Sequence, residues 1–220
     1  MTLFSNFGKF GVLSAGGGGL AYSYLATAFA STTNASLSGS NRIATLGSAG
    51  SVAHSNTFTL AGFQYLEMKV TTNARYWIAS FSKHTAGSYN NNHWGFYSNS
   101  LSAASLVMSW GPPGGVGTGG PDQGTYVLNA SGSAIAPHAD DDILSWAFDV
   151  DAGKAWIGVN GVWYNGGGPA ADSDPLTTGI TSSDVTDLRF RWGNHAASSG
   201  GVGKILTEAE SSYFNGGALF

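Results

Sequence analysis

Residues 140–169 constrain the fold of this chain more than any other stretch. Trp146, Phe148 and Val150 share one face of a first strand by the period-two rule. Asp151-Ala152-Gly153-Lys154 follows as a tight turn in which the glycine supplies a positive φ. Ala155, Ile157 and Val159 then line the core-facing side of a second strand. Asn160-Gly161 is the strongest short hairpin signal, a type I′ turn whose twist matches the strands on either side. Val162-Trp163-Tyr164 returns antiparallel, so the segment reads as a β-meander.

The same alternation recurs along the chain. In residues 63–71, Leu66, Met68 and Val70 alternate with Tyr65, Glu67 and Lys69, as in a half-buried strand. Residues 75–83 place Trp77, Ala79 and Phe81 on one face. Further strands are expected through Trp94, Phe96 and Ser98, through Leu106, Met108 and Trp110, at Tyr126 and Leu128, and through Leu188, Phe190 and Trp192. Residues 111–124 are rich in Gly and Pro and read as a surface loop. Thr207-Glu208-Ala209-Glu210 opens the one expected helical turn, with Thr207 as N-cap and Glu210 as its capping-box partner.

Composition points the same way. Charged residues are only 10% and glycines number 33 of 220, against roughly 25% charged and about 7% glycine in ordinary soluble proteins. The surface is therefore built from Ser, Thr, Asn and Gly, which disfavours long helices with charges at i and i+4. Seven Trp, nine Tyr and twelve Phe can fill one sizeable core. The expected fold class is all-β, a single antiparallel β-sandwich. Nine scattered Lys and Arg with a net charge of −4 leave no electrostatic basis for nucleic-acid binding. The chain has no cysteine, which removes disulfides and thiol chemistry and leaves the redox compartment open. No stretch approaches the ~20 apolar residues of a membrane span, and the broken N-terminal segment does not read as a signal peptide.

Residues 1–55 have a different texture. Phe4, Phe7 and Phe10 recur at spacing three, then come four glycines at 16–19, then Tyr22, Tyr24 and Phe29 among small residues. The expectation is an extended N-terminal arm over residues 1–55, followed by the sandwich over residues 56–220. The arm either folds back on its own sandwich or docks on a neighbouring subunit. In the second case Phe4, Phe7, Phe10, Tyr22 and Tyr24 are the expected contact residues.

The string Asp142-Ile143-Leu144-Ser145-Trp146-Ala147-Phe148-Asp149, then Gly153-Lys154, Trp156, Gly158, Asn160-Gly161 and Trp163, resembles the core of the SPRY domain. It is most similar to the version in bacterial and bacteriophage proteins, where an NG-x-W turn precedes a Gly/Pro/Ala-rich loop like residues 166–175. The resemblance covers roughly residues 58–193 and departs from the family at Leu144-Ser145, where a glycine is usual. It implies a concanavalin A-like jelly-roll sandwich. The tail from Leu206 through Asn215-Gly216-Gly217 is similar to the end of laminin-G-type jelly rolls.

Signals for catalysis are absent from the sequence. Glycosidases of this architecture need two carboxylates about 5 Å apart on one strand face for a retaining mechanism, and Glu-x-Asp-x-x-Glu does not occur. Glu67 and Lys69 read as a solvated pair on a polar face. His54, His84, His93, His138 and His195 fall at no metal-ligand spacing and read as surface-loop residues. Asp140, Asp141 and Asp142 read as water-exposed charge at a strand entrance rather than as a Ca²⁺ site. No catalytic residue, metal or cofactor is expected. Tyr89, Asn90, Asn91, Asn92, His93 and Trp94 form the expected ligand-binding loop, able to stack on and hydrogen-bond a sugar or peptide.

The functional expectation is a non-enzymatic bacteriophage virion protein, a capsid decoration or cement protein or a tail or fibre component. It would assemble in the host cytoplasm as a homo-oligomer, contact other virion proteins through its arm and meet surface glycans through its sandwich, with no nucleic acid and no membrane insertion. The alternative is a stand-alone carbohydrate- or peptide-binding module.

Overall fold

A computed structural model of the chain describes residues 22–48, 50–73, 77–82, 93–97, 106–109, 125–127, 139–163, 166–176, 178–194, 200–215 and 218–219. The strands, in chain order, are β1 (Ser23–Tyr24), β2 (Phe29–Thr33), β3 (Ala35–Ser38), β4 (Ile43–Leu46), β5 (Val52–Ser55) and β6 (Phe63–Thr72). Then come β7 (Trp77–Ser82), β8 (His93–Tyr97), β9 (Leu106–Ser109), β10 (Thr125–Val127), β11 (Ile143–Asp149) and β12 (Lys154–Val159). The last are β13 (Val162–Trp163), β14 (Arg189–Asn194), β15 (Val202–Ile205), β16 (Phe214–Asn215) and β17 (Ala218–Leu219).

Fifteen of them build two sheets, antiparallel except where β1 meets β6, and β16 and β17 pair as a short separate ladder. Sheet A runs β13-β12-β11-β6-β15-β4-β3, with β1 joining β6 in parallel beside β15. Sheet B runs β10-β9-β8-β7-β14-β5-β2. The meander is β11-β12-β13, and its tip is the expected I′ turn, with φ of 50° at Asn160 and 76° at Gly161. A Cβ on Gly161 would stand 2.6 Å from the Tyr213 ring, so both the φ and the space require glycine.

The two sheets close on an aromatic core. Trp146 of β11 packs edge-on against Phe81, Phe96 and Phe190 of sheet B, with ring centroids 5.8, 5.2 and 5.1 Å away. Leu66, Met68 and Val70, and Trp77, Ala79 and Phe81, face this core as their alternation predicts. Ala155 and Ile157 lie in it too, and Val150 and Val159 pack against it.

Three expectations are corrected. Residues 22–55 are not an arm: β2 and β5 belong to sheet B, and β3 and β4 form one edge of sheet A. Their backbone polar groups are satisfied by those ladders, and Phe29, Leu46 and Ala53 enter the core. The domain therefore starts before residue 56, while Phe4, Phe7, Phe10 and the tetraglycine lie outside the described residues. Second, the outer face of sheet A is not a solvated face, because a second cluster of Tyr22, Tyr65, Ala147, Trp156 and Phe214 covers it. Third, Thr207–Glu210 does form the capped turn, as a 3-10 turn with Thr207 N–H donating to Glu210 Oε2 at 2.9 Å, but Pro169–Ala171 forms another.

Candidate functional site

Sheet A and sheet B treat their outer faces differently. On sheet A the chain covers itself. Tyr65 stacks on Phe214 with centroids 5.3 Å apart, and the Tyr24 hydroxyl donates to the Leu206 carbonyl at 3.2 Å. Glu67 lies beneath this cover at 0% exposure. Its Oε1 accepts from the Tyr65 hydroxyl at 2.5 Å, the Ser211 hydroxyl at 2.8 Å and Tyr213 N–H at 3.1 Å. Its Oε2 accepts from Ser212 N–H at 3.2 Å. Burial first, then the Glu67 charge, pushes the phenols of Tyr65 and Tyr24 above their ordinary range. They therefore serve as neutral donors.

The expected solvated pair Glu67–Lys69 is thus corrected. Lys69 pairs instead with Asp141 at 2.8 Å, and Glu67 is an internal anchor for the C-terminal tail. Among the described residues it has no carboxylate partner at glycosidase spacing either. Asp149 stands four register positions away on the same face, since Ser145 pairs with Glu67 and Asp149 with Phe63. Four residues span about 13 Å, beyond the separation either glycosidase geometry uses.

The acidic run before β11 closes turns. Asp140 Oδ1 accepts Asn73 N–H at 2.5 Å, Asp142 Oδ2 accepts Ala139 N–H at 2.6 Å, and Asp142 Oδ1 accepts Asn160 Nδ2 at 2.7 Å. No group of three metal-ligating side chains occurs among the described residues.

Sheet B carries the more unusual surface. In β14, Phe190 and Trp192 enter the core, which leaves Arg189 and Arg191 on the outer face. Arg191 pairs in register with His54 of β5 on one side and Ser80 of β7 on the other. Arg189 pairs with Ser82, and His54 with Ser31 of β2. His54 is 4% exposed, against the expectation of a surface-loop histidine, because it falls inside a strand whose alternate residue, Ala53, is core. Both its ring nitrogens lack a hydrogen-bond partner among the described residues, as do the Ser82 hydroxyl and Arg189 Nε. Burial, then the charges of Arg191 and Arg189, hold the His54 pKa down to about 4. The imidazole is therefore neutral at pH 7, beside two guanidinium groups.

Of the expected ligand loop, Tyr89, Asn90, Asn91 and Asn92 lie outside the described residues. His93 and Trp94 are described in their backbone only and belong to β8 rather than to a loop, paired with Ser82 and Phe81. The structure thus brings His93 to the register position next to Ser82 and Arg189. Tyr22 and Tyr24, expected at a subunit contact, are packed inside the chain's own second cluster, with Tyr22 edge-on to Phe63 at 5.3 Å. Sequence reading missed Arg189 and Arg191, although their alternation with Leu188, Phe190 and Trp192 marked them as one face. It could not place His54 beside them, because that pairing joins residues far apart in the chain.

No protein family matches the sequence, and no curated protein matches it. Solved structures do match. The TRIM65 PSpry domain is 11% identical, covers 84% of this chain and 93% of its own, and superposes with a TM-score of 0.50. The SPRY domain of human HERC1 is 12% identical over 79% of this chain and 92% of its own, with a TM-score of 0.47. Stonustoxin is 15% identical over 83% of this chain but 29% of its own, with a TM-score of 0.49. At these identities the likeness to the TRIM65 domain establishes the fold, a SPRY-like sandwich.

Proposed function

We propose that this chain is a non-enzymatic recognition module whose working surface is the outer face of sheet B. The observation that carries the reading is the asymmetry of the two sheets. Sheet A is covered by Tyr22, Tyr24 and the C-terminal tail, whereas the outer row of sheet B, itself buried at His54, Ser80, Ser82 and Arg191, is polar and basic, and His54, the Ser82 hydroxyl and Arg189 Nε find no hydrogen-bond partner among the described residues. Buried polar groups in a folded protein are almost always paired, and unpaired ones mark a site where a partner binds. The test is a binding screen of the intact chain against acidic and neutral sugars and peptides. Saturable binding that weakens on substitution at Arg189 is expected. Turnover of any bound compound, or binding indifferent to every change on sheet B, would sink the reading.

A second reading places the module on a bacteriophage particle, as a capsid decoration, cement, tail or fibre component. Its support is the charge-poor, cysteine-free composition and the likeness of residues 142–163 to the phage type of SPRY core. Such a surface suits assembly in the host cytoplasm and persistence outside it. Contacts with other virion proteins would then rest on residues 1–21, since residues 22–55 are spent within the sandwich. Removing residues 1–21 leaves every described strand in place, so loss of particle incorporation with an intact fold is the expected result. Incorporation at the full level would exclude an assembly role for that segment.

A further inference from the structure

We propose that β3 is an assembly edge, where a second copy of this chain adds its own β3 antiparallel and continues sheet A across a two-fold axis. The proposal stands apart from the recognition reading, whose surface is on sheet B. Among the described residues sheet A ends at β3 and β13, and sheet B at β2 and β10. β13 has two residues and β10 three. β2 carries a register shift between Phe29 and Ser31, and its Phe29 N–H already donates to the Asn41 carbonyl at 2.8 Å. β3 has four residues and pairs with β4 without a shift.

Alternation in the ladder decides which groups of β3 point outward. Leu46 N–H donates to the Gly201 carbonyl at 2.8 Å and Ile205 N–H to the Arg42 carbonyl at 2.9 Å, so Arg42, Ala44 and Leu46 address β15. Ile43 and Thr45 therefore address β3, where they pair with Ser38 and Ser36. The backbone N–H and C=O of Ala35 and Leu37 are left pointing away from the sheet, and no described group meets them. An open edge of this kind is a template for another strand. The usual devices against it are missing, since β3 holds no Lys and no Pro, and residues 22–41 carry no charge. Arg42, the first charge beyond them, is tied to Glu210.

A second copy is the occupant because this edge is complementary to itself. With the axis at Ser36, Ala35 of each copy stands opposite Leu37 of the other, and each such pair exchanges two hydrogen bonds. All the outward groups of both strands are then answered. Ala35 and Leu37 lie on the core side of the strand, so they meet there as apolar pairs. The exposed Ser36 hydroxyls meet on the outer face. Copies of a chain with net charge −4 repel one another, and a neutral edge lets them approach without opposed charge. So short a ladder belongs with the weak interfaces, and its occupancy rises with concentration.

The experiment is sedimentation velocity of the intact chain from about 1 μM to about 1 mM. The parent should pass from monomer to dimer over this range. Ser36→Lys sets two ammonium groups across the axis and Ser36→Glu two carboxylates. Each should raise the dissociation constant about tenfold, with an unchanged near-UV spectrum. An equal mixture of the two variants should recover the dimer, which a merely structural defect would not do. If only one variant folds, its dissociation constant against the parent's decides the matter alone. A parent that stays monomeric at the highest concentration overturns the proposal and leaves the edge to an extended segment of another protein. A dimer indifferent to both substitutions overturns it as well. A dimer lost on removing residues 1–21 but kept in both Ser36 variants overturns it too, and moves the contact to that segment.

Discussion

Glu67 shows how one buried side chain can hold two distant parts of a chain together. Its carboxylate takes four hydrogen bonds, three of them from Ser211, Ser212 and Tyr213. Exchanging it for Gln replaces an acceptor with an amide donor and leaves donors unanswered, so Glu67→Gln should lower stability by about 1–3 kcal/mol. Urea unfolding at pH 7 measures this, and an unchanged midpoint would mean the tail does not depend on Glu67. His54 governs a second effect. Its folded pKa, about 4, lies below the ordinary 6.5, so the unfolded chain binds the extra proton between those values. Stability from this group is full above pH 6.5 and falls as pH drops towards 4, at up to about 1.4 kcal/mol per pH unit. Chemical denaturation across that window should show the slope, and His54→Gln should flatten it.

At the scale of elements, the tail is latched twice, once to Glu67 and once through Glu210. The Glu210 carboxylate accepts from Lys204 Nζ at 2.8 Å, Thr207 N–H at 2.9 Å and the Arg42 guanidinium. The Lys204 hydrogen bond, then the Thr207 backbone N–H, lower its pKa from 4.5 to about 2. This latch therefore acts fully above pH 4.5 and is lost as pH falls from 4.5 to 2. Hydrogen exchange in β15 and β16 should rise over that window in the parent and be already raised at pH 5 in Glu210→Gln. The meander tip is the other sensitive element. Gly161→Ala forces a side chain into the left-handed region and into the Tyr213 ring, and should cost about 1–3 kcal/mol. A thermal melt within experimental error of the parent would contradict that. Both elements were readable as strings, Asn160-Gly161 and Thr207-x-x-Glu210, because turns and caps depend on residues a few positions apart. The double latch was not readable, because Glu67 and Ser211 meet only when sheet A is assembled.

For the whole molecule, the sandwich depends on strands drawn from residues 22–55 as well as from the SPRY-like stretch. A chain starting at residue 56 lacks β1–β5, which removes the β4-β3 edge of sheet A and the β5-β2 edge of sheet B. It should fail to fold, giving a collapsed or aggregated product by size-exclusion chromatography and no near-UV signal. A monomeric, native-like product would restore the arm. Period-two alternation and turn chemistry act over two to four residues, so the all-β class, the β11-β12-β13 meander and the core faces of β6, β7 and β14 were legible along the chain. Alternation misjudged the N-terminal segment, whose strands are poor in it: β2 is Phe-Ala-Ser-Thr-Thr, and its place is set by pairing with β5. That His54 meets Arg191 across β5 and β14, and that Glu67 is sealed rather than solvated, followed from the assembled sheets. Cross-strand pairing and outer-face cover join residues more than a hundred positions apart, and no local pattern encodes which face the chain's own ends will cover.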